Sequence, residues 1–469
     1  AASLPVTAST ATPSATTPSS TTPSTATPST ASPSTALPVT TSTTTAAVAA
    51  TPGQCPLRHG RAQPRPDRSR YHLTADIRPA ENTVTGSVDV QFTPDLVTDR
   101  LVLRLWPNGP VLAAAGAHLE PGPVTVDGQP APSSRPNPTT LVVAASVAAG
   151  QTVDVALPWT LTLARPNEGR ISRSGDSVRL GSFFPILAWE PGVGWATEPP
   201  TVAEGETATT AAADFTMAVT VPPGFDVLAT GTTDGQGTWS APAVPDVALT
   251  VGHFTEVTAT IAVPQPVQVT VGVEAGVAES PQPYLAKVTK VLEQYSRRFG
   301  PYPWPAYTVA ISPTLHGGIE YPMHVMQGPG SIGRSTSHEV GHQWFYGLVE
   351  DDQARDPRLD EALATWAEAG FEGTLAAFVS RPIPADAVAQ AGRPMTFWDG
   401  HAANYYAGVY VQGAKALAAL GPPDLVDCAL AAYVDAHAYR VARPADLIGA
   451  LRAVFPDAAP VLARYGLHP

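Results

Sequence analysis

Ser337-His338-Glu339-Val340-Gly341-His342-Gln343-Trp344-Phe345 sets two histidines four residues apart, with a glutamate directly after the first. On a helix, residues at that spacing lie on one face, one turn above each other. Both imidazoles can then reach one ion at about 2.0–2.1 Å, the distance zinc takes to a histidine nitrogen. Glu339 projects beside such an ion rather than onto it, where it can take a proton from water. Trp344 and Phe345 follow at once, and bulky apolar residues there predict a buried helix. A buried pair of imidazoles needs polar partners, which a metal supplies. Two histidines flanking a glutamate also fit a solvated helix face, so the reading turns on a third ligand.

Glu361 stands in Leu359-Asp360-Glu361-Ala362-Leu363-Ala364-Thr365-Trp366-Ala367-Glu368, with eighteen residues between it and His342. The segment has few breakers and reads as a second helix, entered through the turn Asp356-Pro357. Three protein ligands with water in the fourth position make the pattern of a catalytic zinc. Glu368 lies about two turns beyond Glu361 on the same face, placed to orient a ligand histidine from behind. An exposed helix charge is the plainer reading of Glu368.

Outward from this core the hydrophobic period changes. From about residue 68 to 275 it is two: Tyr71, Leu73, Ala75 and Ile77, then Val84, Val88, Val90 and Phe92, later Phe215, Met217, Val219 and Val221, then Val267, Val269, Val271 and Val273. Such alternation, broken by Pro and Gly clusters, predicts strands with one buried face, and the region reads as one large antiparallel β domain. Near residue 281 the spacing becomes three or four, through Leu285, Val288, Leu292, Tyr295 and Phe299. That marks an amphipathic helix, ended by Gly300-Pro301. A short strand carries Tyr307, Val309 and Ile311, and Ala- and Leu-rich helices follow. Residues 1–52 are almost entirely Ala, Ser, Thr and Pro without an aromatic or charged side chain. Such a tract buries no core and reads as a disordered stalk of the kind O-glycosylated in exported proteins. The expected division is a stalk at 1–52, a β domain at 53–262 and a mixed, mainly helical catalytic domain at 263–469.

The net charge of −13 argues against nucleic acid as a partner, because neutralising phosphates needs clustered Lys and Arg. No apolar run of 18 residues occurs, so no transmembrane segment is expected. Cys55 and Cys428 are too few for a disulfide framework. They form either one bridge suited to an oxidising compartment or two buried thiols. Ala1 in place of Met is consistent with a removed signal peptide. Scarce Lys beside abundant Ala, Pro and Arg suggests a GC-rich bacterial source, and a secreted or surface-associated protein is the expectation. No phosphate-binding loop or nucleophile elbow is present. His72, His253, His401 and His437 have no motif around them and read as structural or surface residues.

H-E-x-x-H, eighteen residues, then Glu resembles the zinc signature of the aminopeptidase-N-type gluzincins, the zinc metallopeptidases that include leukotriene hydrolase-like enzymes. Upstream, His316-Gly317-Gly318-Ile319-Glu320-Tyr321 resembles the family's Gly-x-Met-Glu-Asn exopeptidase motif. By that resemblance Glu320 binds the α-amine of a peptide, and the edge strand with Gly317 and Gly318 binds its main chain. Tyr410-Val411-Gln412-Gly413-Ala414 resembles the family's Tyr-x-Lys-Gly-Ala segment, in which Tyr410 would donate to the oxyanion. The resemblance implies a β domain followed by a thermolysin-like catalytic domain, holding one Zn2+ and acting on peptides. Gly181-Ser182-Phe183-Phe184-Pro185-Ile186-Leu187-Ala188 resembles the segment edging the family's active site. Glu190 beyond it is a candidate second amine ligand, and His324 a candidate cleft residue. Tyr321 replaces the usual Asn, Ile319 the usual Met and Gln412 a common Lys. The family's long C-terminal helical domain is missing.

The function expected is therefore a zinc metallopeptidase, most readily an aminopeptidase releasing N-terminal residues. The alternatives are an endopeptidase with the same chemistry, or a surface binding protein that keeps zinc for structure.

Overall fold

The computed structural model describes residues 53–58, 60–167, 169–202 and 210–469; the expected stalk at 1–52 lies outside them. Strands form where apolar residues alternate. β1 (Arg70–Arg78) buries Tyr71, Leu73, Ala75 and Ile77, and β2 (Thr83–Phe92) buries Val84, Val88, Val90 and Phe92. With β3 (Val153–Thr162), β4 (Ala213–Thr220) and β5 (Thr238–Val244) they form the centre of one large sheet, ordered β5-β4-β1-β2-β3. Neighbours are antiparallel except at one seam: β1 runs parallel to β4, with Arg70 opposite Asp214. The wholly antiparallel domain expected from the sequence is thus mixed. Parallel neighbours need a long connection, and here it supplies strands to two further four-stranded sheets.

A second, five-stranded sheet belongs to the helical half. It is built from β6 (Phe254–Ala262), β7 (Pro266–Glu274), β8 (Ala306–Ile311), β9 (Gly318–Tyr321) and β10 (His324–Gln327), ordered β6-β7-β8-β10-β9. β6 and β7 pair as one hairpin from Phe254↔Glu274 to Ala262↔Pro266. The expected boundary at 262/263 cuts that hairpin, so this sheet begins near Phe254. A period of two marks a strand but not the sheet it joins. β9 is the edge, antiparallel to β10, which leaves one side of Gly318–Tyr321 unpaired in the sheet.

Between β7 and β8 runs α1 (Pro281–Phe299), burying Tyr284, Val288, Leu292, Tyr295 and Phe299 while Leu285 is half-buried. Gly300, with φ at 109°, ends it as only glycine readily can. Then come α2 (Arg334–Gly341), α3 (Glu361–Glu372), α4 (Gln412–Ala418), α5 (Pro423–His437) and α6 (Pro444–Val454). α1 holds α2 through Tyr295, whose hydroxyl donates to the Ser337 carbonyl at 2.9 Å. Trp344, fully buried after α2, donates to the Gly300 carbonyl at 2.8 Å.

The first part of the segment ahead of β1 packs on the helices rather than on the β domain to which it was expected to belong, while Arg68 nearer β1 pairs with Asp214 of the β domain. Cys55 is bonded to Cys428 of α5, and Arg58 donates twice to Asp435, at 2.6 and 2.8 Å. Ala62 N–H donates to the Asp435 carbonyl at 2.7 Å. The bridge spans 373 residues. Closing a long loop removes entropy from the unfolded chain. Cys55→Ser with Cys428→Ser is expected to lower stability by about 2–4 kcal/mol, read as a lower Tm. An unchanged Tm would show that Arg58 and Ala62 suffice to hold the strap.

Candidate active site

α2 presents His338, and His342 follows its last residue in still-helical conformation. Glu361 opens α3, where the Asp360 side chain caps the helix by accepting from the Glu361 amide at 2.6 Å. The two helices approach closely because of Gly341: a Cβ there would stand 3.1 Å from the Ala364 Cα. That approach brings three ligand atoms together. His338 Nε2 lies 3.0 Å from Glu361 Oε2 and 3.1 Å from His342 Nε2, and His342 Nε2 lies 3.5 Å from the same oxygen. Three donors at about 2.0–2.1 Å from a tetrahedral zinc are roughly 3.3 Å apart. The triangle therefore fits one zinc.

The orientation of the rings fits as well. His342 Nδ1 contacts the Phe345 carbonyl at 3.2 Å, so it carries the proton and leaves Nε2 as the inward lone pair. His338 Nδ1 lies 3.4 Å from Glu368 Oε2, and Arg334 grips the other Glu368 oxygen. Glu368 thus stands behind a ring of the triangle, as its spacing suggested. Burial by itself would depress both imidazoles, but Glu361 reverses this, lifting His338 well above its ordinary value and His342 to about 9. Burial would likewise raise the Glu361 carboxyl, and hydrogen bonds from the two histidines pull it down instead. The carboxylate draws positive charge to these rings, and a divalent cation satisfies all three atoms at once.

Glu339 is 5% exposed, and its Oε2 has no hydrogen-bond partner among the described residues. Burial lifts this carboxyl to about 7, against the pull of the two histidines. It fits beneath the edge strand because residue 318 is glycine; a Cβ there would lie 2.4 Å from Glu339 Cδ. Glu320, also on β9, is 4% exposed and comes within 4.8 Å of ligand atoms of Glu339 and His342. It accepts from Arg170 Nη2 at 3.1 Å and lies 3.4 Å from the donating Gln353 Nε2. Tyr410 stands on a π-helical turn, Ala407–Val411, with its ring stacked on His338 at 5.6 Å between centroids. Gln412 donates to the Ala387 and Gly408 carbonyls and pins that turn.

These residues surround one cavity of roughly 390 Å³. Gly317, Gly318, Glu320, Glu339, Glu361, Glu368, Tyr410 and both histidines line it, so the expected metal, catalytic and main-chain-binding residues and Glu368 meet there. Arg334, Ser335 and Tyr406 line it too and went unread. Arg334 was legible, one helical turn before His338 and hence on its face. Two candidates fail. Glu190 is paired with Arg443 and Arg355 away from the cavity. His324 is fully buried between the Thr308 and Thr250 hydroxyls at 2.7 and 3.0 Å, and burial lowers it to about 3. The 181–188 segment acts from behind: Gly181 leaves room for the Tyr321 ring, and Ser182 lies 3.1 Å from the Tyr321 hydroxyl. Gln343 ties the site together, accepting from Met323 N–H at 2.8 Å and donating to the Tyr321 carbonyl at 2.9 Å.

No protein-family model and no curated protein matches the sequence. Solved structures do. An M1 zinc metallopeptidase from Deinococcus radiodurans superposes with a TM-score of 0.64 at 22% identity, over 86% of this chain and 94% of that one. The chain has the M1 zinc metallopeptidase fold. A point mutant of the Deinococcus radiodurans protein bound to a Tyr-Ser-Ala substrate aligns at TM-score 0.63 and 22% identity, over 86% and 95%. A mutant two-domain M1 zinc metallopeptidase bound to L-arginine aligns at 0.64 and 22%, also over 86% and 95%.

The Gly341–Ala364 contact sets the spacing of the triangle. Gly341→Val overfills it, a change that typically costs about 1–3 kcal/mol. Zinc affinity, measured by competition with a chelator, is expected to fall at least tenfold. Unchanged affinity in a folded variant would mean that the helix approach does not position the ligands.

Proposed function

We propose that this protein is a zinc-dependent metallopeptidase of the aminopeptidase-N type, with a thermolysin-like catalytic domain, that releases N-terminal residues from peptides. The observation that carries the reading is the buried triangle of His338, His342 and Glu361 with the unpartnered Glu339 oxygen beside it. When bound there, zinc supplies Lewis acidity and makes a water more acidic. Glu339 takes the proton of the attacking water and passes it to the departing amine. Tyr410 donates to the oxygen that gains charge as the carbonyl becomes tetrahedral. Gly317 and Gly318 on the open edge of β9 hold the peptide main chain, and Glu320 faces its ammonium. Glu368 acts through His338, fixing its ring. The Cys55–Cys428 bridge supports an oxidising, extracytoplasmic setting, in keeping with a secreted or surface-associated bacterial protein.

One observation favours an endopeptidase instead: Glu320 already accepts from Arg170 and lies beside Gln353, which weakens its hold on an ammonium.

Glu339→Gln is expected to lower kcat by about 10²–10⁴ while zinc content stays at one per chain. Tyr410→Phe is expected to lower kcat by about 10²–10³. A Glu339→Gln variant that turned over peptide at close to the wild-type rate would end the proposed mechanism. Comparing a peptide with its N-acetylated form separates the two readings. Cleavage confined to the free peptide marks the aminopeptidase, and equal cleavage of both marks the endopeptidase.

A further inference from the structure

The cavity is electrically lopsided along α2. Glu320 lies at one end, close to Glu339 and His342. Arg334 lies at the other, eight residues before His342, which is roughly 12 Å of helix. Its side chain is 48% exposed and lines the cavity. It is also held still. Its Nε donates to Glu368, and its Nη2 donates to the Tyr406 hydroxyl at 2.7 Å. Nη1 makes no hydrogen bond among the described residues, so part of the guanidinium fork is left for a ligand. Tyr406, accepting from Arg334, keeps its own O–H to donate, and it too lines the cavity. A second cation, Arg381, packs over the Tyr406 ring at 5.2 Å.

A planar fork with fixed donors is the group that best matches a carboxylate. An extended tripeptide spans roughly 10 Å, and a hydrogen bond at either end covers the remainder of the helical distance. The ligand triangle lies between the two ends, nearer Glu320. We infer that Arg334, with Tyr406, binds the C-terminal carboxylate of short peptides, making this an enzyme for peptides of about three residues with both ends free. The inference rests on the peptidase reading above and names its substrate class. Arg334 serves twice: it positions Glu368 behind His338, and it receives the substrate carboxylate.

The test uses the zinc-loaded full chain with trialanine, trialanine amide and hexa-alanine. The wild type is expected to favour the free acid over the amide by about ten- to a hundredfold in kcat/KM, the range of a hydrogen bond to a charged group. The preference should shrink for the hexapeptide, whose carboxylate lies beyond Arg334. Arg334→Gln should bring the acid-to-amide ratio for the tripeptide close to one, and Tyr406→Phe should lower it several-fold. A purely positioning role for Arg334 predicts an equal fall for acid and amide with the ratio unmoved, and that outcome overturns the inference. Calorimetry on the Glu339→Gln variant gives a second readout: it should bind trialanine more tightly than the amide by a similar factor. Equal binding also overturns the inference. Absence of hydrolysis of any peptide by the zinc-loaded wild type would instead count against the peptidase reading itself.

Discussion

Glu361 is a carboxylate buried between two imidazoles, and the molecule is arranged to keep it there. A lone buried carboxylate is costly, so His338 and His342 must face it within about 3.5 Å. That requires two helices to touch, which Gly341 allows. It also requires each ring to be fixed from behind, by Glu368 and by the Phe345 carbonyl. Tyr295, Trp344 and the aromatic cluster around them hold α2 against α1. These contacts leave α2 little freedom to relax if the triangle is disturbed.

The β domain completes the site rather than merely preceding it. Arg170 reaches Glu320, and Ser182 joins Tyr321 to the buried Asp246. Tyr321 thereby anchors the edge strand to the first half of the chain. Gln343 binds the same strand from the helical side. The strand that would hold a peptide is thus clamped from both halves, while its outer edge stays open.

Much of this was legible in the sequence because it depends on local spacing. Histidines spaced by four and glutamates spaced by seven each translate into one helical face, and the eighteen residues between His342 and Glu361 leave room for the turn between the two helices. Alternation named β1, β2 and β7 correctly. What the sequence hid was long-range. The parallel seam of β1 with β4 joins residues about 140 apart, and no periodicity encodes a partner. Glu190 and His324 were misread because their partners, Arg443 and Thr250, are distant in sequence. The pairing of Arg170 with Glu320 was invisible for the same reason. The spacing of Cys55 and Cys428 left their state open until the strap was seen lying on α5.

The central claim is that His338, His342 and Glu361 hold a single zinc ion. Anomalous diffraction at the zinc edge from crystals of the full chain tests it most directly. The account predicts one peak, about 2.0–2.2 Å from both Nε2 atoms and from a Glu361 oxygen. A zinc peak held by Glu320 and Glu339 instead, or none in zinc-supplied crystals, would contradict it.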